Sequence, residues 1–194
     1  MGGREVGRGD DFQRFLTSRL FFPIGIGDAR LLSRAPRSSI RELAISPDGA
    51  TLAWLAADCL GTCEASLATV AIDGPPGVRA VEERVAVDSS LSWDASGSSL
   101  LVVRTADGPT VSLVDADDGR VVALVDVDRL GTDVSARPRW VANGSAIVIE
   151  AATAVDGATP GTRGPVTMWR MGPDGSALVI LARDTAGGDL RSLP

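Results

Sequence analysis

The sequence predicts an all-β fold: an incomplete β-propeller of three four-stranded antiparallel blades, preceded by a short N-terminal helix. Three observations carry this. Gly49, Gly97 and Gly144 recur 48 and 47 residues apart, each inside a similar stretch: LAISPDGATLAWL from Leu43, LSWDASGSSLLVV from Leu91 and PRWVANGSAIVIE from Pro138. Each stretch is an apolar-rich strand, a tight turn ending in glycine, and a second apolar strand; self-similarity at that period marks stacked blades or a solenoid. A second turn family, Asp73-Gly74, Asp118-Gly119 and Asp174-Gly175, alternates with the first. No helical pattern separates the strands, so the unit is a four-stranded blade and not a βαβ crossover.

Taken in chain order, residues 1–38 form an N-terminal extension. Phe12, Phe15, Leu16 and Leu20 fall at helical spacing with Asp11 available as a cap, which predicts an amphipathic helix over about 11–20. The favoured reading of that helix is a plug over exposed sheet; a membrane-surface or partner helix is the alternative. Residues 39–194 form the propeller segment, with blades at about 39–88, 89–133 and 134–184. Blade one is expected to run Ile40–Ser46, Thr51–Ala57, Ser66–Ile72 and Val78–Val87. Blade two is expected at Ser90–Trp93, Ser99–Thr105, Pro109–Val114 and Arg120–Val127. Blade three is expected at Arg137–Val141, Ser145–Ala152, Val166–Met171 and Ser176–Ala182. All are short, rich in Val, Ile, Leu and Trp, and separated by Gly, Pro, Asp and Ser.

The turns support this independently. In Ser46-Pro47-Asp48-Gly49, Pro47 presets the φ of a type I turn and Gly49 supplies a left-handed residue without steric cost. Asp94-Ala95-Ser96-Gly97 and Val141-Ala142-Asn143-Gly144 keep the glycine. The structural turn residues expected are thus Pro47, Asp48, Gly49, Gly97 and Gly144, with Gly74, Gly119 and Gly175 between third and fourth strands.

Composition excludes much chemistry. The chain of 194 residues has no His, Tyr or Lys, and all 19 basic residues are Arg. Without His there is no Ser-His-Asp or Cys-His catalysis and no HExxH zinc site. Without Lys there is no P-loop, Schiff base or Ser-Lys dyad. A non-enzymatic protein without cofactor or metal is expected. Residues 1–41 hold eight arginines against four acids, and the remainder eleven against 21, for an overall charge of −6. An acidic repeat region argues against nucleic-acid binding. No apolar stretch is long enough to span a membrane, and the one at 20–27 is broken by Pro23 and glycines, a poor signal peptide. An extracytoplasmic location is slightly favoured over a cytoplasmic one. Cys59 and Cys63, the only cysteines, close a small disulfide in an oxidising compartment or stand as two free thiols; spacing leaves both open.

Strand order fixes which loops share an end. The first-to-second and third-to-fourth connections lie at one end and hold the tight turns. The long connections Asp58–Ala65, Asp128–Ala136 and Thr153–Pro165 lie at the other, where recognition is expected. Asp115, Asp117 and Asp118 read as turn chemistry and not as a calcium loop, whose spacing they lack. The tryptophans at 54, 93, 140 and 169 sit at packing positions.

These residues resemble the TolB-type propeller repeat. Ser46-Pro47-Asp48-Gly49 matches its turn, Pro138-Arg139-Trp140 matches its Pro-x-aromatic entry, and Trp93 occupies the inner-strand aromatic position, which Ile45 takes in blade one. The resemblance covers about residues 40–183, with units two and three lacking Ser-Pro-Asp. It implies a partial propeller, since family rings close with six or more blades. It also implies a non-enzymatic interaction scaffold, binding a protein partner of unknown identity through the long-loop face or open blade edges. A homodimer completing a six-blade ring is a further possibility. The alternative is the gating propeller of a prolyl-oligopeptidase-family serine peptidase, whose catalytic elbow lies on another domain.

Overall fold

Leu100-Leu101-Val102-Val103 is apolar at every position, so the strand that carries it needs a sheet against each of its faces. The computed structural model supplies both. It describes residues 39–58, 64–74, 77–131, 134–141, 143–154 and 163–184. These belong to one compact unit, Ser38–Pro194; the helix expected over 11–20 lies outside them.

Three antiparallel meanders follow one another. The first holds β1 (Ser39–Ile45), β2 (Thr51–Ala57), β3 (Glu64–Ala71) and β4 (Arg79–Ala86). The second holds β5 (Ser92–Trp93), β6 (Ser99–Arg104), β7 (Thr110–Asp115) and β8 (Val121–Asp126). The third holds β9 (Val134–Trp140), β10 (Ile147–Ala154), β11 (Arg163–Met171) and β12 (Val179–Arg183). Every strand pairs antiparallel with its neighbour in the meander. Most strand ends fall within three residues of those expected from the sequence.

Period-two alternation then sorts the core. Odd positions Ala53, Leu55 and Ala57 of β2, with Ala65, Leu67 and Val85, meet Leu91, Trp93, Leu100, Val102 and Val114 of the second blade. The opposite face of that blade presents Leu101, Val103, Val111 and Val125 to Ala136, Ile147, Ile149, Ala151 and Met171 of the third. Each fully buried Leu, Ile or Val contributes about 1.5–3 kcal/mol. We call the side of a blade that meets the preceding one its leading face, and the other its trailing face.

Two connections differ from expectation. The inner strand of blade two was expected from Ser90 and is only Ser92–Trp93. Ser89 and Ser90 are buried ahead of it, and the Ser89 hydroxyl accepts the Val103 N–H at 2.9 Å, the bond a longer β5 would have supplied. The end of β4 takes up the rest: Val85 pairs with Arg104, and Thr105 N–H donates to Arg84 O at 3.0 Å. Blades one and two thereby share one eight-stranded sheet, while blade three forms its own. At the end expected to carry only long connections, Thr105–Pro109 is a tight turn with an Ala106–Gly108 bridge. The connection expected at Asp128–Ala136 opens with a 3-10 turn, Val127–Leu130, whose Val127 and Leu130 are buried in the second core cluster.

Candidate functional site

The first-to-second turns use one backbone frame three times. Ser46 N–H donates to Thr51 O and Gly49 N–H to Ser46 O; Asp94–Ser99 with Gly97–Asp94, and Val141–Ala146 with Gly144–Val141, repeat both bonds at 2.8–3.1 Å. What differs is the side chain that satisfies the donors after the glycine. In blade one the Asp48 carboxylate accepts Ala50 N–H at 3.0 Å and the Ser46 hydroxyl at 2.5 Å. In blade two Asp94 accepts from both Ser98 and Ser99 N–H. In blade three the Asn143 amide oxygen accepts Ser145 N–H at 3.1 Å. An Asx acceptor is kept while its position shifts, which is why Ser-Pro-Asp is dispensable in the later units.

The structure places Gly49, Gly97, Gly144, Gly119 and Gly175 at positive φ, between 69° and 83°. Gly74 is different. Its φ is not in the left-handed region; a Cβ there would lie 2.7 Å from that of Ala71, so close approach is what demands glycine. Pro47 packs at the next turn, 3.4 Å from where a Cβ on Gly97 would be. Cys59 and Cys63 lie outside the described residues, as does most of the long-loop face at 59–63, 132–133 and 155–162.

Carboxylates in these turns are held ionised. The Ser46 hydroxyl and Ala50 N–H lower the Asp48 pKa; the N–H groups of Asp117 and Asp118 lower that of Asp115; the Ser176 hydroxyl and N–H lower that of Asp174. Asp115 thus spends its acceptor capacity on its own turn, and among the described residues no group of three His, Cys, Asp or Glu could hold a metal ion.

A second cluster lies at the junction of blades one and two. Glu82 on β4 receives Arg104 Nε of β6 at 2.6 Å, their side chains 14% and 20% exposed. Burial pushes the Glu82 carboxyl up, but the Arg84 N–H, the Arg104 guanidinium and the Glu83 N–H outweigh it and leave the pKa lowered. Beside it the Thr105 hydroxyl donates to Glu64 at 2.5 Å.

Trp54 and Trp93 are buried, and Trp93 Nε1 donates to Ala44 O at 3.2 Å across the junction. Trp140 and Trp169 pack against the second cluster. The outer strand β12 is the edge of its sheet and exposes Val179 (47%), Ile180 (39%) and Leu181 (54%). Sequence reading missed the Glu82–Arg104 pair and the charges on the trailing face of blade three. Writing the repeats in register exposes the latter: Arg137 and Arg139 stand where blade one has Glu42 and Ala44.

No protein-family model matches the sequence, and no curated protein does either. Solved structures do. TolB from Agrobacterium tumefaciens superimposes with a TM-score of 0.59 at 16% identity, over 81% of this chain and 53% of that one. The fold is that of a TolB-like propeller. TolB from Acinetobacter baumannii gives a TM-score of 0.52 at 14% identity, covering 74% of this chain and 32% of its own. A structure from work on two prolyl endopeptidases gives 0.62 at 20% identity, covering 84% of this chain and 24% of its own. The chain therefore spans about half or less of these TolB-like and peptidase structures and matches their propeller portion.

Proposed function

We propose that the protein is a non-enzymatic interaction scaffold of the TolB-like propeller type, which binds a protein partner through its long-loop face or its open blade edges. The observation that carries this is β12. An edge strand offers unpaired backbone groups, and natural proteins protect such edges with charge. The outer strand of blade one, β4, has its end covered by the Val85–Arg104 pairing with β6 and carries Glu82, Glu83 and Arg84 there. Blade three instead exposes Val179, Ile180 and Leu181 in succession, the composition of a surface that pairs with something. Cross-linking the full chain in its source cells, beside a Val179→Asp/Leu181→Asp variant, tests this. The expected result is a partner cross-linked by wild type and lost by the variant at unchanged thermal midpoint. Absence of any cross-link, or peptide cleavage by the purified chain, sinks the reading.

The likeness to prolyl endopeptidase propellers favours a second reading, a gating propeller for a serine peptidase. In that case the parent gene encodes a Gly-x-Ser-x-Gly elbow in an α/β pattern beyond residue 194; further repeats there support the scaffold.

A further inference from the structure

In the whole sequence only Gln13 and Asn143 carry a side-chain amide. Asn143 takes the place that Asp48 has in blade one, one residue before the left-handed glycine. It is exposed, and the next residue is Gly144. An Asn-Gly step is a chemical weak point, because no side chain on the glycine obstructs the approach of its nitrogen to the asparagine Cγ. In that reaction the Gly144 nitrogen loses its proton to water and bonds to Cγ, ammonia leaves, and a succinimide ring forms. Water then opens the ring at either carbonyl. One opening gives aspartate and the other isoaspartate, and in both a water is taken up for each ammonia released. The Asp48 carboxylate does not invite the same attack, since the Ser46 hydroxyl and Ala50 N–H hold it ionised.

The native turn occupies both reacting groups. Gly144 N–H donates to Val141 O at 2.8 Å. Asn143 Oδ1 accepts Ser145 N–H at 3.1 Å and the Ser145 hydroxyl at 2.6 Å. Ring closure must break the first bond and swing the amide away from the other two donors. Val141 N–H to Ala146 O at 3.0 Å and the Trp140–Ile147 pair close the hairpin below them.

We propose that Asn143 is a self-modification site of blade three, converted through a succinimide only when the β9–β10 hairpin opens, and that its aspartate product rebuilds the turn in the form blade one already uses. Ser145 N–H then meets a carboxylate acceptor, as Ala50 N–H does at Asp48. The isoaspartate product differs. It moves the side-chain methylene into the main chain and lengthens the loop between Val141 O and Gly144 N–H. That displaces Gly144 from its seat against Ala95, where a Cβ would lie at 3.1 Å. Opening of this hairpin is thus recorded in the covalent structure, whether or not the chain binds a partner.

The test holds the full chain in warm, mildly alkaline buffer, with and without guanidinium chloride, and follows intact mass and peptide maps. Gln13 needs a larger ring and reacts far more slowly, and Asp-Gly steps isomerise with no net change of mass, so the gain from amide to acid reports Asn143. That gain is expected to run at least about tenfold slower in the folded chain than in denaturant. Ser145→Ala, which removes one donor from Oδ1, should speed it severalfold in the folded chain and leave the denatured rate unchanged. Equal rates in the folded and denatured chain overturn the gating, and no gain in denaturant overturns the site. Asn143→Asp should show no mass gain and keep the wild-type thermal midpoint at neutral pH. A midpoint several degrees lower overturns the rebuilt turn.

Discussion

The two junctions within the molecule are built differently. Between blades one and two a hydrogen-bonded bridge, Val85 to Arg104, fuses the sheets, and the Glu82–Arg104 pair and the Trp93–Ala44 bond reinforce it. Between blades two and three no ladder crosses among the described residues. The seam is apolar, with Leu101, Val103, Ile147, Ile149 and Met171 at its centre and the Val127–Leu130 turn at its rim. Two side-chain bonds pin it, Ser90 Oγ to Pro138 O and Trp140 N–H to Ser92 Oγ. Backbone bonds fix register directionally, whereas apolar contact fixes only area, so the second junction is expected to open first.

Core truncation should show this most strongly. Leu100→Ala and Leu101→Ala sit back to back on β6, and each is expected to cost about 2–5 kcal/mol. In urea with amide exchange, Leu101→Ala should release β9–β11 before the rest, while Leu100→Ala lowers the shared sheet. Identical protection maps would erase the distinction between the junctions. Next in size are the turns that abut another blade. A Cβ at Gly175 would fall 2.7 Å from Leu124 O at φ +83°, whereas at Gly49, φ +74°, it meets nothing within 4 Å. Gly175→Ala should therefore cost about 2–4 kcal/mol and Gly49→Ala about 1 kcal/mol, measured by chemical denaturation. Equal losses would mean that only backbone conformation matters there.

Glu82→Gln removes the ion pair but keeps the bridge. Because both side chains are partly solvated, the loss should be about 1–3 kcal/mol, below that for a fully buried pair. Exchange at Val85 and Thr105 should rise toward the rates seen at the other junction; no change would place the strength of the junction in the bridge alone. The smallest effect is on pH. Asp48, Asp115, Asp174 and Glu82 all have lowered native pKa values, so their stabilisation is full above the unfolded-state values, near pH 4, and fades as pH falls through the native ones. Thermal midpoints should be flat from neutral to about pH 5 and decline below pH 4. Asp48→Asn should flatten part of that decline, and an equally steep one in the variant would clear Asp48 of any share.

The hairpins were legible because their signal is local: Gly49, Gly97 and Gly144 each need a left-handed residue four to five positions after an apolar run begins to turn. The shortening of β5 was not, because it depends on β4 supplying Arg84 O from another blade, a pairing with no local trace. Ile45 stands at the aromatic position yet is half exposed, whereas Trp93 and Trp140 sit against a neighbour; their difference is a matter of place in the stack. The pairing of Arg139 with Glu42 of blade one was not readable either, since Arg139 looks like ordinary surface charge in linear order and its partner lies two repeats away.

The glycine turns also climb the molecule like treads. A Cβ on Gly97 would stand 3.4 Å from Pro47, and one on Gly144 3.1 Å from Ala95, so each tread rests on the one before. Foreign loops spliced into those treads would wedge the blades apart. Gly108, at the opposite rim with open space around it, is where a grafted epitope or tag can be displayed without disturbing the pitch of the stack.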